Sequence, residues 1–233
     1  MAERLRMPES EIDLGALMLQ RQAMYQFLAR AFRSEVDQEL LDTLARIDLA
    51  AETGVPEIDR GYRTLASWLM TVDDSTLAAL GAEYARIMLG AGPSGGGGAF
   101  PYESVYTSPQ GLLMQEARAR VADLYRAEGL AGEPTEPEDH LALELEFVAH
   151  LCAGAARVLA AGEMEAAARN LLAQRAFLTE HLLNWAPRLC GDVARLATSD
   201  FYRAIADITS AYLVIDHDLL AGLLVSDETL AAC

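Results

Sequence analysis

The sequence predicts an all-α, single-domain helical bundle of about eight to ten helices, interrupted by a glycine-rich hinge loop. Three observations carry that prediction. The 233 residues are 52% hydrophobic but only 7% aromatic, and alanine and leucine, which lose little rotamer freedom in a helix, dominate. Apolar residues recur at three- and four-residue spacing through most of the chain. No stretch alternates in the period-two pattern of a strand, and no fixed-length repeat is visible.

The first helix is expected to follow an N-cap at Ser10, with Leu14, Leu17, Met18, Tyr25, Leu28 and Phe32 along one face. A shorter pattern holds Val36, Leu40, Leu41 and Leu44, and the turn Thr53-Gly54-Val55-Pro56 separates it from Ile58, Tyr62, Leu65 and Leu69. A further helix runs from about Ser75 to Leu89. From Gly90 to Pro101 the periodicity stops, because consecutive glycines cost too much backbone entropy inside a helix. Gly95 to Gly98 are accordingly expected to be mobile and to tolerate shortening. Ser108-Pro109 reads as an N-cap with proline at the first helical position, opening a helix through Leu112, Leu113, Val121, Leu124 and Tyr125 to a stop at Gly129. After an acidic connector, Ala131 to Asp139, a helix starting near Pro137 places Leu141, Leu145, Val148, Leu151 and Cys152 on one side. Similar patterns cover Leu171 to Trp185 and Phe201 to Leu220. One domain, residues 10–225, accounts for all of them.

Charge and cysteine content exclude several functions. Eighteen basic residues against 35 acidic ones give a formal charge of −17, which repels nucleic-acid phosphates and anionic lipid while attracting a cationic peptide. Cys152, Cys190 and Cys233 are too few and too scattered for a disulfide framework or a zinc knuckle, and they point to the reducing cytoplasm. The N-terminal residues lack an apolar h-region and no run is long enough to span a bilayer, so neither export nor membrane insertion is expected.

Two motif matches lack the context that their chemistry needs. Residues 90–95 satisfy G-x-G-x-x-G, and 92–96 satisfy G-x-S-x-G. Both follow a predicted helix instead of the strand required by a dinucleotide fold or a nucleophile elbow. Of His140, His150, His181 and His217, only His140 with Glu144 and His150 with Glu146 share a helix face at i, i+4 spacing with a carboxylate. No metal or cofactor is expected.

Three segments are left that composition does not explain. Tyr84, Ile87, Met88 and Gly90 stand in EYARIMLG; Pro101, Tyr102, Ser104, Val105 and Tyr106 stand in FPYESVY; Glu136, Pro137, Asp139 and His140 open EPEDHLALELEF. Together they resemble the Tyr-x-x-Leu-Phe-x-Gly-Pro, Pro-aromatic-x-Ser-Val-Tyr and Glu-Pro-x-Asp-His elements of the TorD/DmsD/NarJ redox-enzyme maturation chaperones. The resemblance is motif-strong from Glu83 to Leu151. Met88 replaces the usual phenylalanine, Pro93 arrives two residues late, and the polyglycine stretch is longer than usual.

The resemblance implies a cytoplasmic, non-enzymatic chaperone that binds the leader peptide, and a surface of the catalytic subunit, of a molybdenum-cofactor oxidoreductase until cofactor insertion and export. It implies a peptide site built from Tyr84, Ile87, Met88, Pro101, Tyr102, Ser104, Tyr106, Glu136, Glu138, Asp139 and His140. The residue types agree with that role. Methionine and aromatics make an adaptable apolar floor, and carboxylates near a helix start can meet the arginines of a twin-arginine leader. Core packing is the competing role of Tyr84, Ile87 and Tyr106, and helix capping that of Glu138 and Asp139. If Asp139 is a cap facing the leader, Asp139→Asn should barely change stability and should weaken binding. Two other readings stay open: an assembly factor of NarJ type whose client is never exported, and a small metal-dependent hydrolase using Asp139, His140 and Glu144. The protein is expected to be a monomer, or a dimer swapped through the glycine loop.

Overall fold

The computed structural model describes residues 3–5, 13–91, 97–130 and 136–226. Among these, ten α-helices form one all-α domain: α1 (Leu14–Arg33), α2 (Gln38–Leu44), α3 (Pro56–Leu69), α4 (Thr76–Met88), α5 (Glu103–Thr107), α6 (Glu116–Ala127), α7 (Leu141–Ala160), α8 (Met164–Phe177), α9 (Ala186–Leu196) and α10 (Asp200–Leu223). A π-helical turn, Leu178–Leu182, continues α8. Residues Glu3–Leu5 (β1) and Leu224–Ser226 (β2) pair antiparallel. Three-residue strands are too short to leave an alternation in the sequence.

The long helices carry the fold. The stripe on α1 buries Met18, Tyr25, Leu28 and Phe32 against α7, which supplies Leu141, Leu145, Val148 and Cys152. α10 packs on α3 and α9, and α8 lies against α7. At the centre Arg21 of α1 meets Asp216 of α10 through Nε–Oδ1 and Nη2–Oδ2 contacts of 2.5 and 2.7 Å. Gln174 of α8 accepts from Arg21 at 2.6 Å, and the Tyr25 hydroxyl donates to Asp216 at 2.6 Å. Three helices are thereby pinned by groups that are each 3% exposed or less. Cys152 and Cys190 are buried free thiols, both pushed up to about 12 by burial; Cys233 lies outside the described residues.

Several boundaries differ from the sequence expectation. The Ser10 cap falls outside the described residues, and Asp13 caps α1 by accepting from the Ala16 amide at 3.0 Å. Ser108 ends the short α5 instead of opening a helix, and α6 starts at Glu116. Leu112, Leu113 and Met114 are exposed in the connection between them. The helix placed at Pro137 begins at Leu141, with His140 as its cap: the His140 Nδ1 accepts from the Ala142 amide at 3.1 Å.

Part of the glycine segment is held in place against α4. Gly95 and Gly96 lie outside the described residues, but Gly98 is tightly packed. A Cβ there would sit 2.7 Å from the Ile87 carbonyl oxygen, because residues 98–99 return to cap α4 and the Ala99 amide donates to that carbonyl at 2.7 Å. A side chain at Gly98 is therefore expected to disturb the end of α4.

Candidate functional site

The three motif segments converge where the chain after the glycine stretch crosses the start of α7. Tyr102 and His140 form an isolated antiparallel bridge. The Glu103 amide donates to the Asp139 carbonyl at 2.9 Å, and the Leu141 amide to the Pro101 carbonyl at 2.8 Å. The bridge fixes the register in which side chains of the two segments meet.

Asp139 turns inward from this crossing. It is fully buried and its Oδ2 accepts from the Ser104 amide at 2.8 Å and from the Ser104 hydroxyl. Burial holds its carboxyl above the usual aspartate range, partly offset by those two hydrogen bonds. The Ser104 oxygen in turn accepts from the Gln115 amide at 3.1 Å, which ties down the exposed 108–115 connection. Asp139 thus organises α5 and is buried; the cap of α7 is His140, which corrects the capping role considered for Asp139 from the sequence. His140 is 3% exposed, and burial lowers it to about 4, so it is neutral at pH 7 with its proton on Nε2.

The outer edge of the crossing is different. Tyr102 is half-buried, its hydroxyl donates to the Glu136 carboxylate at 2.7 Å, and its ring meets His140 edge-on at 5.0 Å. Burial first, then the Glu136 hydrogen bond, pushes the phenol well above its usual range. Glu138 is half-buried and holds Arg118 through contacts of 2.5 and 3.1 Å. Beside Tyr102 in the chain, Phe100 is 39% exposed and packs over Gly90, and Leu89 is 62% exposed.

The other predicted site residues are divided between core and rim. Ile87 and Met88 are buried in the core, as is Tyr84, whose hydroxyl donates to the Phe32 carbonyl at 3.1 Å and which burial pushes up to about 12. Pro101 is buried as well. Tyr106 is half-buried, donates to Asp192 at 3.1 Å, lies 5.7 Å from the Trp185 ring and carries the Arg188 guanidinium over its face.

A buried polar cluster beneath the crossing was missed by motif reading. Glu103, at 0% exposure, contacts the His181 Nδ1 at 2.9 Å and accepts from the Asn184 side chain at 3.1 Å. Glu144 is also fully buried and accepts from the Trp185 indole at 3.2 Å. His181 and Trp185 are far from the motifs in sequence, and no local spacing links them. Glu103 stood inside FPYESVY and its charge between buried neighbours was the available signal.

Glu144 titrates above the usual glutamate range, chiefly through burial and then through the nearby Glu103 charge. The folded chain therefore keeps a proton that the unfolded chain gives up near the ordinary value of 4.5. Stability is fully expressed below that pH and falls as pH rises through the folded pKa. Glu144→Gln, which resembles the neutral acid but cannot ionise, should flatten this fall. Thermal melts of both proteins from about pH 4 to pH 8.5 should show the variant gaining on wild type as pH rises; parallel curves would place the proton elsewhere.

The hydrolase reading requires Asp139, His140 and Glu144 to share one ligand. Asp139 Oδ2, His140 Nδ1 and Glu144 Oε2 accept instead from Ser104, the Ala142 amide and Trp185, while Asp139 Oδ1 and Glu144 Oε1 are buried without a hydrogen-bond partner among the described residues. Among the described residues no group of three or more His, Cys, Asp or Glu side chains could hold a metal ion, and no helix is long and apolar enough to cross a membrane.

Comparison with known proteins agrees with the motifs. The sequence profile of the nitrate reductase delta subunit family matches residues 55–191. The chaperone protein TorD of Vibrio atlanticus (strain LGP32) is 27% identical over 220 residues, 90% of this chain and 99% of that protein. TorD of Vibrio cholerae (strain ATCC 39541) is 29% identical over 220 residues, 91% of this chain and 97% of its own. TorD of the El Tor Inaba N16961 strain is 35% identical over 127 residues, 54% of this chain and 56% of that protein. Each of these relatives is named as a chaperone protein.

Proposed function

This chain belongs to the nitrate reductase delta subunit family, and we propose that it is a cytoplasmic TorD-like chaperone that binds the leader of a molybdenum-cofactor oxidoreductase subunit and holds it until the cofactor is in place and the subunit is ready for export. The observation that carries the reading is the outer edge of the Tyr102–His140 crossing. There a half-buried carboxylate, Glu136, is already oriented by the Tyr102 hydroxyl, and two residues before Tyr102 the chain exposes Phe100, which packs over Gly90 beside the exposed Leu89.

That edge matches a peptide with arginines followed by an apolar run. Glu136 accepts the guanidinium as a charge-assisted pair, and Tyr102, Phe100 and Leu89 cover the apolar residues. The protein's charge of −17 steers the cation towards it. In this proposal Glu136 takes the role first considered for Asp139, while Asp139, Ser104 and Pro101 hold the two segments in register. Tyr84, Ile87 and Met88 support the edge from the core, Glu138 borders it through Arg118, and Tyr106 ties α5 to Asp192 of α9. Calorimetric titration of the protein with the leader of its client tests the reading: saturable binding supports it, and absence of heat with every molybdoenzyme leader of the same organism opposes it.

The assembly-factor alternative uses the same edge on a client that is never exported. It is favoured if the client's bound segment lacks an arginine pair.

A further inference from the structure

Between α1, α3 and α10 the surface opens into a hollow of about 480 Å³, inside the roughly 300–1,000 Å³ range of ligand pockets. Its walls include Leu17, Met24 and Phe27 of α1, Tyr62 of α3, and Ile215 and Leu219 of α10. All six are only half-buried. On α1 this stripe runs beside the fully buried one of Met18, Tyr25 and Leu28, so the helix presents more apolar surface than the core uses.

The chemistry of the floor narrows the ligand. Arg21 and Asp216 line it, yet they are engaged with each other, with Gln174 and with Tyr25. The floor therefore favours an apolar group over an ion. Val55 and Ile215 also border an adjoining hollow of about 410 Å³, lined by Glu57, Asp207, Ser210 and Arg60. Two carboxylates to one guanidinium make that end acidic. The two hollows form one groove along α3 and α10, apolar over most of its length and acidic at one end.

We propose that this groove is a second peptide-binding site, apart from the Tyr102–Glu136 edge, which takes an amphipathic helix of a partner protein with its apolar face in the hollow and a basic residue against Glu57 and Asp207. A trough between helices accepts side chains spaced i, i+3, i+4, the anchors of a helix in a groove. The carboxylates and the −17 charge disfavour both an anionic lipid surface and a second copy of this chain.

The full-length protein is titrated, by fluorescence anisotropy, with a labelled peptide of about 16 residues carrying leucines at i, i+3, i+4 and i+7, alanine and glutamine elsewhere, and one terminal arginine. Wild type should bind it, Ile215→Glu should weaken binding tenfold or more, and Tyr102→Phe should leave it unchanged. Asp207→Asn should weaken the arginine peptide about threefold to tenfold and leave a glutamine-ended version unaffected. Because Ile215→Glu could disturb folding, a photo-crosslinking residue in the apolar face is also applied to wild type, and its adducts should map to α1, α3 and α10.

Failure of wild type to bind, equal binding of a peptide with permuted leucines, equal binding by Ile215→Glu, or adducts elsewhere would each overturn the proposal. So would loss of vesicle binding or of self-association, in place of peptide binding, in Ile215→Glu. Leader binding at the Tyr102–Glu136 edge is read separately by the Glu136→Gln variant and stands or falls on its own.

Discussion

Asp216→Ala is expected to lower the unfolding free energy by about 3–5 kcal/mol, the largest effect of any single substitution considered. Asp216 is 1% exposed and takes the Arg21 guanidinium in a two-point contact together with the Tyr25 hydroxyl. Removing it leaves a guanidinium, itself 3% exposed, without its counter-charge, and a phenol without its acceptor. The loss comes from those stranded groups more than from the pair's own attraction, so replacing both partners by apolar residues should recover much of it. Urea denaturation should therefore rank Arg21→Met/Asp216→Leu above Asp216→Ala. A double variant no better than the single one would show that the pair itself stabilises the junction of α1, α8 and α10.

Asp139→Ala should cost about 2–4 kcal/mol, since it strands the amide and hydroxyl of Ser104 in a buried site. Asp139→Asn should cost about 1–2 kcal/mol: a carbonyl still accepts from Ser104, but a buried amide group replaces an oxygen that has no protein donor. This departs from the sequence expectation of a nearly neutral exchange, which treated Asp139 as an exposed cap. Denaturation of Asp139→Ala, Ser104→Ala and the double variant measures it, with a coupling of about 1–3 kcal/mol expected between the two sites. Additive losses would remove Asp139 from its organising role.

What could be read from the sequence depended on period and on contiguity. The helices with long apolar stripes, α1, α3, α4, α7 and α10, were visible because their core positions repeat. The motif segments were legible through their resemblance to one family, and the structure brings FPYESVY and EPEDHL together at the Tyr102–His140 bridge. α5 was hidden by its five-residue length, and Ser108-Pro109 imitated a helix start at what is its end. Whether Asp139 or His140 caps α7 could not be read, since both types sit at helix starts and only the direction of the Asp139 side chain decides. The Glu103–His181 contact and the Arg21–Asp216 pair join positions 78 and 195 residues apart. Arg21 did carry a trace in the sequence: it sits three residues after Met18 and four before Tyr25, a charge on the buried face of α1.

The most direct test of the leader-binding account is a four-way titration: wild type and Glu136→Gln, each against the client leader with its arginine pair and against the same leader with both changed to lysine. If Glu136 receives a leader arginine, Glu136→Gln should weaken the arginine leader by about 1.5–3 kcal/mol and the lysine leader by distinctly less, because a lysine cannot form the two-point contact with the carboxylate. Equal losses for the two leaders, or wild-type affinity in Glu136→Gln, would contradict the account and move the peptide away from the Tyr102–Glu136 edge.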